Sequence, residues 1–106
     1  MLIWITTQFE AFHFWPNAPS QYAFLASMHR HTFHVKMWWD VTHDNRDIEF
    51  IDAKRRVAMH LSEKTKEKDT ETWSCEHWAR HLLNQFNAQR VSVSEDNENG
   101  ADVTRP

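Results

Sequence analysis

Apolar side chains recur at every second position over the first thirteen residues, where Ile3, Ile5, Phe9 and Ala11 share a parity, and again from residue 29, where Phe33, Val35, Met37 and Trp39 do. Residues two apart on a strand point to the same face, so 2–13 and 29–42 read as two long strands, each with one apolar face. Between them, 14–28 holds two prolines and Asn17 and reads as a loop. His43 to Arg46 forms a polar turn. A first helix is expected from Asp47, whose carboxylate can cap free amides, with Phe50, Ala53, Val57, Ala58 and Leu61 at helical spacing. The charged and hydroxylic run 62–72 is expected to be a solvated loop or a frayed helix end.

Ser74 is a good N-cap for a second helix. Cys75, Trp78, Ala79, Leu82, Leu83 and Phe86 follow it at i, i+3, i+4, i+7, i+8 and i+11, the clearest amphipathic stripe in the chain. The chain then turns near Asn87. A third strand is expected over Arg90–Glu95, and the polar run 96–100 suggests a hairpin into a last strand over about 101–104. The predicted fold class is therefore α+β, in the order β-β-α-α-β-β: a four-stranded antiparallel sheet with two helices on one face. The other face is left for a partner.

With 106 residues the chain reads as a single domain, 1–106, that gains from oligomerisation. Adjacent Trp38 and Trp39 place one indole on each side of a strand, which hints at self-association. The net charge of −3, with Lys54-Arg55-Arg56 as the one basic block, argues against nucleic acid as a partner. No segment is long enough to span a membrane, and the N-terminus lacks the layout of a signal peptide. The single Cys75 excludes an intramolecular disulfide and suits a reducing compartment. The expected location is cytoplasmic.

Chemistry concentrates in three of the eight histidines. His29 and His31 share the apolar parity of the second strand, and His13 shares that of the first. Three imidazoles then converge on a buried surface, and three neutral nitrogen ligands with a fourth position open are the arrangement of a catalytic zinc site. Against this stands the ordinary role of histidine as a surface or satisfied core residue. His34 falls on the opposite face, and His77 and His81 are four apart on the second helix without an HExxH context. In the third strand Glu95 lies in line with Val91 and Val93. Either it ends the strand facing water, or it is partly buried and needs donors, such as the two parallel N–H groups of a guanidine-like or aminopyrimidinone edge.

FEAFH (9–13), HRHTFHV (29–35), EFIDAK (49–54), SCEHWARHLLNQF (74–86) and VSVSED (91–96) occur in that order. Together they resemble the motif ladder of the 6-pyruvoyltetrahydropterin synthase and 6-carboxytetrahydropterin synthase family, and the resemblance spans nearly the whole chain. It implies a tunnelling fold, in which sheets from several subunits close into a barrel, a hexamer being usual. It implies zinc on His13, His29 and His31, and Glu95 as the anchor of a pterin ring. The implied substrate is 7,8-dihydroneopterin triphosphate, and the implied chemistry is triphosphate elimination by a lyase, on a 7-deazaguanine (queuosine-type) or related pterin pathway.

The departures from that family fall on proton transfer. Leu25 stands where the family has a cysteine four residues before its H-G-H motif, and the family's L-D-H segment after the first helix is missing. Arg30 replaces the glycine of H-G-H, Glu49 replaces the aspartate of D-F, and Trp73 stands where proline usually precedes the second helix. Candidates for a replacement base are His60 near the end of the first helix, and Ser27 or Gln21 in the loop. Cys75, at a helix N-terminus where a thiolate is favoured, is either functional or a packing residue. The expectation is a zinc-dependent pterin synthase or lyase. The alternatives are a catalytically diverged zinc and pterin- or purine-binding oligomeric module, and a zinc hydrolase on the same scaffold.

Overall fold

A computed structural model describes all residues, 1–106. Its elements are β1 (Leu2–His13), β2 (His29–Asp40), α1 (Phe50–Lys64), α2 (Cys75–Gln85), β3 (Arg90–Glu95) and β4 (Asn99–Thr104), with short 3-10 segments at Ser20–Ala26 and Lys68–Thr72. The strands form one antiparallel sheet in the order β1-β2-β3-β4. This is the α+β, β-β-α-α-β-β arrangement that the pattern predicts. No helix is long and apolar enough to cross a membrane.

Strand parity separates the two faces. Ile5, Phe33, Val35, Met37, Trp39, Val91 and Val93 are buried under the helices in one core. From α1 come Ala53, Val57 and Leu61, and from α2 come Cys75, Trp78, Ala79, Leu82 and Leu83. The predicted α2 stripe is thus the buried one. The α1 stripe is narrower than predicted, since Phe50 and Ala58 are exposed. The sheet's outer face is polar apart from Leu2, Trp4, Phe12 and Trp38, with Lys36 stacked over both indoles and Arg90 over Trp38. Trp39 faces inward and its Nε1–H donates to the Phe86 carbonyl at 2.9 Å.

Helix α1 starts three residues later than the spacing predicts. The Asp47 carboxylate is already engaged by the amide and hydroxyl of Thr42, at 2.8 and 3.0 Å. Glu49 caps the helix instead, accepting from the Asp52 amide at 2.7 Å. Ser74 caps α2 as expected, accepting from the His77 amide at 3.1 Å. The charged run 62–72 is not wholly solvated. Its first residues finish α1, Thr70 is buried, and the Glu71 carbonyl accepts from the Phe14 amide at 2.8 Å. That bond brings the segment before α2 against the end of β1, where the three histidines stand.

The β3–β4 reversal is tighter than 96–100. Asp96 and Asn97 take left-handed φ of 54° and 60°, a region that Asp and Asn tolerate, and the Glu98 amide donates to the Glu95 carbonyl at 2.9 Å. β4 therefore includes Gly100, which crosses β3 so closely that a Cβ would strike the Val93 carbonyl and Ser94.

Candidate metal centre

Register assembles the site. His13 lies directly opposite His29 in the β1–β2 ladder, and His31 opposite Ala11, one pleat further in. Glu95 pairs with Phe33 across β2–β3, which sets it on the same face and beside His31. The ring centroids of His13, His29 and His31 lie 4.4 to 5.0 Å apart. One ligand nitrogen from each lies within 4.8 Å of the other two. All three rings are half-buried.

Each ring has its Nδ1 committed. His13 Nδ1 faces the Trp73 carbonyl at 3.4 Å, His29 Nδ1 the Ser27 carbonyl at 2.7 Å, and His31 Nδ1 the Asp96 carboxylate at 2.6 Å. These partners only accept, so Nδ1 carries a proton in each ring and Nε2 is the nitrogen left to face an ion; that of His31 also lies 3.3 Å from Glu95 Oε2. That is the state a divalent ion requires of imidazole, oriented by the oxygen behind it. Burial, first of all, holds His13 below the usual imidazole range and keeps it neutral. Its Nε2 is buried without a hydrogen-bond partner. A buried acceptor with nothing to accept from is costly, and a cation at this point would remove that cost. The three neutral nitrogens therefore fit a divalent metal ion, and the zinc that the resemblance implies is one that such a donor set suits.

Beside the rings lies a half-open cavity of about 400 Å³, whose lining includes His13, His29, Leu25, Trp73, Cys75 and Glu95. Glu95 is half-buried, with its side chain 25% exposed. It does not simply face water: Oε2 is 3.3 Å from His31 Nε2, and Oε1 accepts from the Cys75 thiol at 3.8 Å. Neither contact uses a strong donor, so the carboxylate keeps capacity for a ligand's N–H groups. The thiol is pushed up to about 12, by burial first and then by the Glu95 and Glu76 charges. These outweigh the favourable field of the α2 N-terminus, so Cys75 stays protonated and packs.

The remaining candidates fall elsewhere. Leu25 lines the cavity, tied there by its carbonyl, which accepts from the Trp15 amide at 2.8 Å. Ser27 contributes its carbonyl to His29, and its side chain and that of Gln21 are not in the cavity lining. His60 is not in the lining either. Its Nε2 is 2.8 Å from His81 Nε2, the two rings stack at 5.1 Å, and His81 in turn packs on Trp73. Asp96 was not legible as a site residue, because it follows the strand in a polar turn. The one available signal was its place next to Glu95, one residue past the end of the inward-facing parity. No family model matches the chain, and no curated protein matches it.

Proposed function

We propose that the chain is a zinc-dependent pterin synthase or lyase of the class its motifs resemble, acting on 7,8-dihydroneopterin triphosphate in a 7-deazaguanine-type or related pathway. One observation carries the reading: a nitrogen from each of His13, His29 and His31 lies within 4.8 Å of the other two beside a cavity, an acceptor stands behind each Nδ1, and the Nε2 of His13 is buried and unpaired. His13, His29 and His31 would hold the ion. Bound there, zinc would polarise the oxygens of the substrate's side chain and acidify the adjacent C–H. Glu95 opens on the same cavity and would accept the two parallel N–H groups of the pterin edge, which fixes the ring relative to the histidines. Leu25 and Trp73 give the cavity apolar walls that limit water around the reacting carbons.

A second reading is a catalytically diverged, non-enzymatic zinc and pterin- or purine-binding module. It is favoured by Leu25 at the position of the family's base, by a Cys75 thiol held protonated, and by His60 outside the cavity lining. In either reading the protein is a cytoplasmic homo-oligomer, a hexamer by resemblance. Both sheet edges, β1 and β4, are unpaired, and Trp4, 51% exposed, stands on the outer face.

The deciding experiment incubates zinc-loaded protein with dihydroneopterin triphosphate and follows triphosphate and pterin products by mass. The enzymatic reading expects release by the parent and none after His31→Ala. Tight pterin binding without turnover selects the module. No binding by the parent contradicts both. Glu95→Gln is expected to weaken pterin binding by about 1.5–3 kcal/mol, the range of a hydrogen bond to a charged group. Unaltered affinity removes Glu95 from the site.

A further inference from the structure

Of the three rings, only His31 is held from behind by a side chain. His13 and His29 lean on backbone carbonyls, which are neutral and belong to any sequence. His31 leans on Asp96, and the contact is built from both sides. Oδ2 accepts from His31 Nδ1–H at 2.6 Å, while Oδ1 accepts from the Thr32 amide at 3.0 Å. The Asp96 amide donates back to the Thr32 carbonyl at 2.8 Å. Backbone and carboxylate thus grip β2 together, past the last β2–β3 pair at Glu95. The left-handed φ of 54° turns the chain at this residue.

The opposite edge of the same ring meets Glu95 Oε2 at 3.3 Å. With the proton on Nδ1, this is a lone pair facing a carboxylate, two acceptors that repel unless a cation or a proton lies between or beside them. Asp96 therefore does more than immobilise a ring. A carboxylate behind a ligating imidazole selects the tautomer, fixes the ring plane and makes the free nitrogen more basic.

We propose that Asp96 is a positioning residue of the metal centre, which holds His31 as its Nδ1–H tautomer and aims Nε2 at the ion. The inference rests on the metal reading above. It assigns His31 a tighter and more basic donor than His13 or His29, and it makes Asp96 the one group behind the three ligands that a substitution can delete.

The test uses the full chain with Asp96→Ala and Asp96→Asn, zinc affinity by competition with a chromophoric chelator, and the His31 tautomer in metal-free protein by long-range proton–nitrogen correlation. Asp96→Ala is expected to weaken zinc binding by about 10- to 100-fold at unchanged stoichiometry and to release His31 into a mixture of tautomers. Asp96→Asn keeps the shape of the turn and an acceptor oxygen but removes the charge, so it guards against misfolding of the alanine variant. It is expected to retain the Nδ1–H tautomer and to lose less affinity, at least threefold. Parent-like affinity in the folded variants, or a loss in Asp96→Ala with the His31 tautomer unmoved, overturns the proposal. Failure of the underlying reading looks different: the parent itself then binds no zinc, and His13→Ala changes nothing.

Discussion

The molecule holds two groups of histidines, and they solve the imidazole's hydrogen-bonding problem in opposite ways. In the pair between the helices, His60 and His81 turn their Nε2 atoms to each other at 2.8 Å, so one proton shared along that line satisfies both. Burial pushes both below the usual imidazole range, His81 to about 4, so the pair is neutral at pH 7. At the end of β1 and β2, by contrast, the Nδ1 atoms of His13, His29 and His31 all face oxygens, and one nitrogen from each ring lies within 4.8 Å of the other two. The first group is complete. The second leaves room for the ion of the proposed metal site. Clustering alone does not separate the two groups; the oxygens placed behind the β-strand rings do.

The largest expected effect breaks the comparison outright. His13→Ala, His29→Ala or His31→Ala should each drop zinc content from about one ion per chain to near zero after dialysis, read by elemental analysis. His81→Ala should leave that content unchanged. Zinc lost equally in both groups would mean that the two clusters are not distinct.

A smaller effect sharpens it. His81→Leu strands the half-buried Nε2 of His60 and should cost about 1–3 kcal/mol in denaturant unfolding. Adding His60→Leu replaces both polar partners and should recover much of that loss. A double-mutant cycle with no coupling between the two sites would show that they do not share a hydrogen bond.

Smallest is the pH response of the pair. Folded His81 titrates near 4 and an unfolded histidine near 6.5, so the unfolded chain binds more protons between these values. Stability contributed by the pair is then complete above pH 6.5 and is lost as pH falls toward 4. After discounting for solvent screening the loss is on the order of 1–2 kcal/mol. Removal of both rings should flatten this slope, and an identical slope in the double variant would place the titration elsewhere.

Much of this was legible because it depends on local periodicity. Two-residue alternation put Phe33, Val35 and Met37 in the core and His29 and His31 on the same face, and the α2 stripe with its Ser74 cap was read correctly from Cys75 to Leu83, with Phe86 partly buried at the C-cap. What escaped depends on contacts between distant segments. His77 and His81 stand four apart on one helix, but the partner of His81 comes from α1, outside any local window. Asp47 has the right chemistry for a cap but is engaged earlier by Thr42. Thr70 is buried within a run of charges, because the Glu71 carbonyl docks on Phe14. Asp96 is a turn residue by composition and a support for His31 only through a β2–β3 register that no short window contains.

The most direct test is a crystal of the protein grown with zinc, measured on both sides of the zinc absorption edge. The account predicts one strong anomalous peak, about 2.0–2.1 Å from Nε2 of His13, His29 and His31 together. A peak centred between His60 and His81, or none near the three β-strand rings at saturating zinc, would contradict it.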